Sequence, residues 1–166
     1  LRQISNPPMT LFYKGDLFSC NLDRTVAFVG SRRASFAGKE AVKSIISDLR
    51  GTDLTVVSGL AAGIDAVSHE AAITNNLKTI GVIASGFDFT YPSSSKYLYE
   101  KIENGFGAVV TEYYPTFEPI NNFLITSTTS YDVIPAGLFI FSIPVIFTFY
   151  NNPSNICINF SFVSFF

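Results

Sequence analysis

The first part of the chain alternates short apolar runs with segments in which apolar residues recur every three to four positions. The apolar runs predict four buried strands, over residues 25–29, 54–58, 79–84 and 108–112. The segments between them predict helices over residues 36–49, 64–74 and 95–103. Strands that alternate with helices are typical of a parallel sheet, whose ligands bind beyond the carboxyl ends of the strands.

The pattern changes at about residue 123. Residues 133–166 carry no charged side chain, and the alternation of strands and helices is lost. The first part of this tail has about the length of a transmembrane helix, but it contains two prolines and no basic flank. The tail is interpreted as such a helix, as buried strands of the sheet, or as non-native sequence from a shifted reading frame, and the last interpretation is favoured. We therefore predict a domain over residues 1–123 and a divergent tail over residues 124–166, without membrane insertion.

The chain has 166 residues, which suits one domain, and a formal net charge of −2. Residues 24–50 nevertheless hold six basic side chains against two acidic ones. A basic face on an acidic protein indicates a binding surface for a polyanion. The alternative is that these side chains form an ordinary solvated helix face. Cys20 and Cys157 lack metal-ligand spacing, so we expect no metal site and a reducing, cytoplasmic location.

The most informative segment joins the first predicted strand to the first predicted helix. The strand ends at Gly30, and Ser31, Arg32 and Arg33 precede a helix cap at Ser35. Glycine lets an anion approach the backbone, a helix N-terminus offers free N–H groups, and arginine adds a bidentate positive charge. These residue types in this order suit a phosphate-binding turn, but the segment taken alone favours the alternative of an ordinary strand–helix turn with surface arginines.

A second turn follows the next predicted strand, at Ser58, Gly59 and Gly63, and leads to Asp65 and His69. Asp65 and His69 are four residues apart and share one face of the predicted helix. They are interpreted as an acid–base pair or, in the favoured interpretation, as a structural pair in which Asp65 bonds the turn and orients His69. His69 is the only histidine, which argues against a metal site here.

Two further side chains lie near the ends of the last two predicted strands. Tyr91 is interpreted as a ring that stacks on a nucleobase or, in the favoured alternative, packs against the rim of the sheet. Glu112 has two interpretations: its carboxylate accepts hydrogen bonds from a ligand, or it braces a loop. The signatures of dinucleotide, P-loop, serine-hydrolase and zinc-protease sites are absent. The common catalytic signatures are thus all absent, and we expect no cofactor.

Taken together, four spaced motifs resemble the DNA-processing protein A family, also called DprA or Smf. The motifs are Gly30-Ser-Arg32 with Ala34-Ser35 and Gly38; Ser58-Gly-Leu-Ala with Gly63-Ile-Asp65 and His69; Gly86-Phe-Asp88 with Tyr91-Pro92; and Glu112 with Pro115. Each motif is short, but their order and spacing over residues 5–123 make the resemblance specific.

The resemblance implies a Rossmann-like, three-layer α/β sandwich with a mostly parallel sheet. It also implies a protein that binds single-stranded DNA, forms homodimers and loads the RecA recombinase during natural transformation, without enzyme activity. By position it makes Gly30, Ser31 and Arg32 the best candidates for gripping a DNA phosphate. We predict further DNA or phosphate contacts from Arg33, Lys39, Ser58 and Gly59. We predict supporting places in the pocket for Gly63, Asp65, His69, Tyr91 and Glu112.

The chain departs from the family pattern after Phe123. There the family carries an arginine-rich motif and further strands, and their loss removes the half of the sheet through which the family dimerises. This loss argues against a homodimer in this chain, which is interpreted as truncated at its N-terminus and divergent at its C-terminus. The alternative functions are a hydrolase of nucleoside 5′-monophosphates, whose Pro-Gly-Gly-x-Gly-Thr signature is absent, and an inactive remnant.

Overall fold

The computed structural model describes residues 9–118 and the backbone of three later strands. The strands are β1 Phe12–Gly15, β2 Thr25–Gly30, β3 Thr55–Ser58, β4 Lys78–Val82, β5 Gly107–Thr111, β6 Leu138–Ser142, β7 Phe147–Asn152 and β8 Asn155–Phe160. The helices are α1 Phe36–Asp48, α2 Ile64–Thr74 and α3 Lys96–Lys101. Short 3₁₀ turns occur at Leu17–Ser19 and Ser93–Ser95, and a π turn at Ile102–Phe106 follows α3.

Six strands form one mixed sheet in the order β1-β5-β4-β3-β2-β6. The four inner strands, β2 to β5, are parallel, whereas β1 pairs antiparallel with β5 and β6 pairs antiparallel with β2. The carboxyl ends of the inner strands, at Gly30, Ser58, Val82 and Thr111, therefore share one edge of the sheet. We call it the carboxyl edge. The mostly parallel α/β architecture that the sequence predicts is confirmed.

The core lies on both faces of the inner strands. β3 and β5 are buried at every position, which explains why their sequences contain no charged residue and do not alternate between apolar and polar positions. On one face, Val42 and Ile46 of α1 form a cluster with Phe28 of β2, whose side chain is fully buried. On the other face, the strands pack against the segment around the first 3₁₀ turn, including Leu17 and Cys20. Burying a side chain the size of Phe28 stabilises the fold by about 2–3 kcal/mol.

The predicted elements differ from the observed ones mainly at their ends. α2 has the predicted bounds, α1 ends one residue early, and each inner strand differs from its prediction by one or two residues at one or both ends. The helix predicted over 95–103 is observed as α3 followed by the π turn, and Asn104 and Gly105 leave helical geometry just beyond the predicted end. β1 was missing from the sequence prediction, since only Phe12 is partly buried in this strand.

The tail contributes β6 to the sheet and forms the β7–β8 hairpin. β6 thus agrees with the interpretation of the tail as strands of the sheet, whereas β7 and β8 form a separate two-stranded sheet, and a shifted reading frame stays a prediction. Within the part of the chain that the structure describes, no helix has the length and apolar character needed to cross a membrane.

Candidate functional site

The turn that leaves β2 presents its polar side chains at the carboxyl edge. Ser31, Arg32 and Arg33 are all exposed. The Arg33 backbone N–H donates to the Ser31 hydroxyl over 3.1 Å, which holds the turn in shape. The Ser35 hydroxyl accepts from the Gly38 N–H over 3.1 Å and caps α1. This 31–33 turn therefore places two guanidinium groups beside a well-formed helix N-terminus.

The loop that leaves β3 packs directly on the 31–33 turn. The Ile64 N–H donates to the Ser31 carbonyl oxygen over 3.2 Å. Gly63 has a φ of +86°, and a Cβ at this position would overlap the Ser31 carbonyl oxygen and lie 2.7 Å from that of Arg32. The structure thus brings together the two glycine turns that the sequence places separately, and Gly63 is the residue that permits the contact.

Asp65 lies buried beneath these two loops. Burial raises the pKa of its carboxyl group to about 6, and this shift is partly offset by the backbone N–H of Ala61 and the positive charge of Arg32. A Cβ at Gly59 would lie only 2.8 Å from Asp65 Oδ2, so the loop backbone closes over the carboxylate. Asp65 is thus held by the loop that leaves β3, which agrees with the part of its structural interpretation in which it bonds the turn.

The side chains of Ser58 and His69 are also buried and make hydrogen bonds inside the protein. The Ser58 hydroxyl donates to the Phe28 carbonyl oxygen over 2.7 Å. His69 is fully buried, with its Nδ1 2.7 Å from the Thr79 hydroxyl oxygen. Because that hydroxyl donates its single proton to the Val56 carbonyl oxygen, His69 Nδ1 carries the proton and donates. Asp65 and His69 are both buried, and His69 is oriented by Thr79, not by Asp65 as the sequence had suggested.

We expect His69 to make the protein acid-sensitive. Burial lowers the pKa of His69 from 6.5 to about 3, so the folded state keeps the ring neutral while the unfolded state takes up a proton below pH 6.5. The contribution of His69 to stability is therefore complete above pH 6.5 and falls by about 1.4 kcal/mol per pH unit as the pH drops towards 3, whereas the raised pKa of Asp65 adds an opposing gain between about pH 6 and pH 3.8. Urea unfolding of the wild type and of His69→Gln at several pH values isolates the His69 contribution as the difference between the two slopes. Equal slopes in the two proteins would contradict the assignment.

The loops that leave β4 and β5 form the other half of the carboxyl edge. The Gly86 N–H donates to the Phe117 carbonyl oxygen over 2.7 Å, and the Thr111 hydroxyl donates to the Ser85 carbonyl oxygen over 2.9 Å. Glu112 is half-buried, which raises the pKa of its carboxyl group, and a hydrogen bond with Tyr113 partly offsets the shift. This environment favours the interpretation of Glu112 as a brace for the loop.

Tyr91 corrects one expectation from the sequence. Its exposed fraction is 62%, so the interpretation that the ring packs against the rim of the sheet is wrong. The Tyr99 hydroxyl donates to the Tyr91 carbonyl oxygen over 3.5 Å, which anchors the backbone while the side chain remains accessible. The exposed ring leaves base stacking as the interpretation that the structure allows.

The structure gathers Gly30, Ser31, Arg32, Arg33, Gly59 and Gly63 at one place on the carboxyl edge. Lys39 lies one turn further along α1 and is half-buried. The sequence prediction missed Phe36, the first residue of α1, whose exposed fraction is 80%. The sequence did contain a signal for this exposure. Phe36 precedes Ile45, which packs against the core, by nine residues, or two and a half helical turns, so the two side chains lie on opposite faces of α1.

Comparisons with known proteins match this part of the chain. The family model for DNA recombination-mediator protein A matches residues 1–126. DNA processing protein DprA of Streptococcus pneumoniae is 42% identical over 120 residues, covering 72% of this chain and 42% of that protein. Protein Smf of Borreliella burgdorferi is 37% identical over 124 residues, covering 74% and 38%. The chain thus spans about two fifths of the length of these curated relatives.

Two solved structures have similar folds. The X-ray structure of DprA from Streptococcus pneumoniae matches with a TM-score of 0.63 and 41% identity, over 69% of this chain and 39% of that one. The structure of DNA processing protein A from Helicobacter pylori matches with a TM-score of 0.63 and 28% identity, over 71% and 53%. The Helicobacter pylori protein is described as having a unique mode of single-stranded DNA binding.

Proposed function

The chain belongs to the DNA recombination-mediator protein A family, and on this premise we propose that it binds single-stranded DNA at the carboxyl edge of its sheet. The observation that carries the proposal is the 31–33 turn, which presents Arg32 and Arg33 at the surface beside the N-terminus of α1. The single-stranded DNA binding described for the Helicobacter pylori relative supports the same ligand. The DNA-processing names of the relatives favour this function over nucleotide hydrolysis.

The chemistry of the turn suits a phosphate rather than a particular base. Guanidinium groups bind phosphate through paired hydrogen bonds, and a helix N-terminus adds partial positive charge. Neither group distinguishes one nucleotide from another. Lys43, further along α1, forms an ion pair with Glu40 at 2.8 Å and therefore adds less to the positive field. The site binds the DNA backbone without reading its sequence and performs no catalytic step.

The remaining expectations extend this proposal. Residues 1–123 form the DNA-binding domain and residues 124–166 a divergent tail, a division supported by the end of the family match at residue 126. RecA recombinase is the protein partner that family membership suggests, and the cytoplasm is the location that such a partner requires. A homodimer of the family type is not part of the proposal.

Salt titration tests the proposal. We expect the affinity for a fluorescent oligo-dT to fall as salt rises, because bound basic groups release counterions from the strand. Two phosphate contacts give a slope of about −1.4 for log K against log salt. Fluorescence anisotropy at several salt concentrations measures this slope. A salt-independent signal would contradict the phosphate site, and release of free base from a nucleoside monophosphate would favour the hydrolase instead.

A further inference from the structure

Phe36 is a large apolar side chain that the fold does not use. It is the first residue of α1 and is 80% exposed. The helix buries a different face, through Val42 and Ile46. Single exposed apolar residues are common, so exposure alone says little. What distinguishes Phe36 is its position next to the proposed phosphate site.

The basic turn and the ring are held close together. Arg33 precedes Phe36 by three residues, so their Cα atoms are at most about 11 Å apart even in an extended chain. The Ser35 cap fixes the backbone immediately before the ring. Arg32 and Arg33, both exposed, precede Phe36 in the chain, and the half-buried Lys39 follows it by about one helical turn. An exposed aromatic ring thus lies within a short, basic stretch of the chain whose backbone is fixed by the helix cap.

We propose that Phe36 is a stacking platform for one base of the DNA strand whose phosphate lies on the 31–33 turn. The inference rests on the proposed function and adds a second type of contact to it. A nucleic acid strand is the partner whose chemistry matches both features, since it alternates anionic phosphates with flat apolar bases. Stacking on an aromatic ring is tolerant of sequence, as the phosphate contacts are.

Binding of abasic DNA distinguishes base stacking on Phe36 from phosphate contacts at the 31–33 turn. Anisotropy is measured for an oligo-dT and for an abasic oligomer of the same length, which keeps the phosphates and lacks the bases. We expect Phe36→Ala to weaken oligo-dT binding about tenfold and to leave binding of the abasic oligomer unchanged. Phe36→Tyr should retain the affinity. Phe18→Ala is the matched control, because Phe18 is 82% exposed but follows β1 at the opposite edge of the sheet.

The following outcomes would contradict the stacking role of Phe36. Equal losses on both oligomers, or no loss on either, would overturn the stacking role while leaving the phosphate site intact. A shift of Phe36→Ala to a smaller species in size-exclusion chromatography would assign the ring to contact with a second copy instead. Failure of the unmodified protein to bind either oligomer at low salt would defeat the proposed function itself, and the stacking role with it.

A tryptophan probe gives an independent readout. The chain contains no tryptophan, so the Phe36→Trp variant has a single indole at this position. We expect oligo-dT to quench its fluorescence, because a stacked base contacts the indole directly. The abasic oligomer should leave the signal unchanged. Quenching by both oligomers alike would argue against stacking.

Discussion

Arg32→Ala is expected to remove most of the affinity for single-stranded DNA. A charge-assisted hydrogen bond contributes about 1.5–3 kcal/mol, which corresponds to a loss of about tenfold to a hundredfold. Arg32 also lowers the pKa of the buried Asp65 carboxyl group through its charge. The substitution therefore leaves that carboxylate less compensated as well. Anisotropy with oligo-dT at low salt measures the affinity, and the salt slope should become shallower by about 0.7.

Arg50→Ala is the control for this experiment. Arg50 is exposed just beyond the C-terminal end of α1, far along the helix from the 31–33 turn. Both substitutions remove one positive charge, so a general effect of net charge would weaken binding equally in the two variants. A loss confined to Arg32→Ala supports a local contact. Wild-type affinity in a folded Arg32→Ala protein would rule out the phosphate site proposed for this turn.

Gly63→Ala is expected to destabilise the protein by about 3–5 kcal/mol. A non-glycine residue at a φ of +86° is strained, and the new Cβ would meet the backbone carbonyl groups of Ser31 and Arg32. Overlap with backbone atoms adds about 1–3 kcal/mol to that strain. Native domains have only about 5–15 kcal/mol of stability, so this single methyl group removes a large part of it. Urea denaturation measures the change.

Gly51→Ala separates strain from overlap. Gly51 has a φ of +80°, but a Cβ there would have no atom within 4 Å. We expect this variant to lose only about 1–2 kcal/mol, the cost of the left-handed backbone alone. The larger loss in Gly63→Ala reports the overlap of the new Cβ with the Ser31 and Arg32 carbonyl oxygens, together with the extra strain of a backbone whose ψ is −126°. Similar losses in both variants would show that the two loops move apart easily to accommodate the Cβ.

Local sequence signals were sufficient for the helices and inner strands. α2 has its predicted bounds because Gly63 precedes it and Asn75 and Asn76 follow it, with Asn76 at a φ of +58°. The inner strands were recognisable because they are buried on both faces. β1 gave no such signal, since three of its four residues are exposed. The family resemblance, which rested on the spacing of short motifs, is confirmed.

The site was less accessible to sequence reasoning. The residue types at the 31–33 turn predicted a phosphate site, but nothing in the sequence shows that Gly63 packs against that turn. This contact depends on β2 and β3 being neighbours in the sheet. Tyr91 was expected to be packed and is exposed, and Phe36 was overlooked. Which large side chains the core leaves uncovered depends on the packing of separate elements rather than on periodicity within one element.

The contact between Gly63 and the 31–33 turn also restricts how this region evolves. An insertion or deletion in either loop would displace the Ile64 N–H from the Ser31 carbonyl oxygen, so the two loops cannot change length separately. Adaptation to a new ligand would therefore proceed by replacement of side chains, while the length of both loops stays constant. The fold thus allows substitution at exposed positions such as Arg33 and Phe36, whereas any side chain at Gly63 would meet the carbonyl oxygens of Ser31 and Arg32.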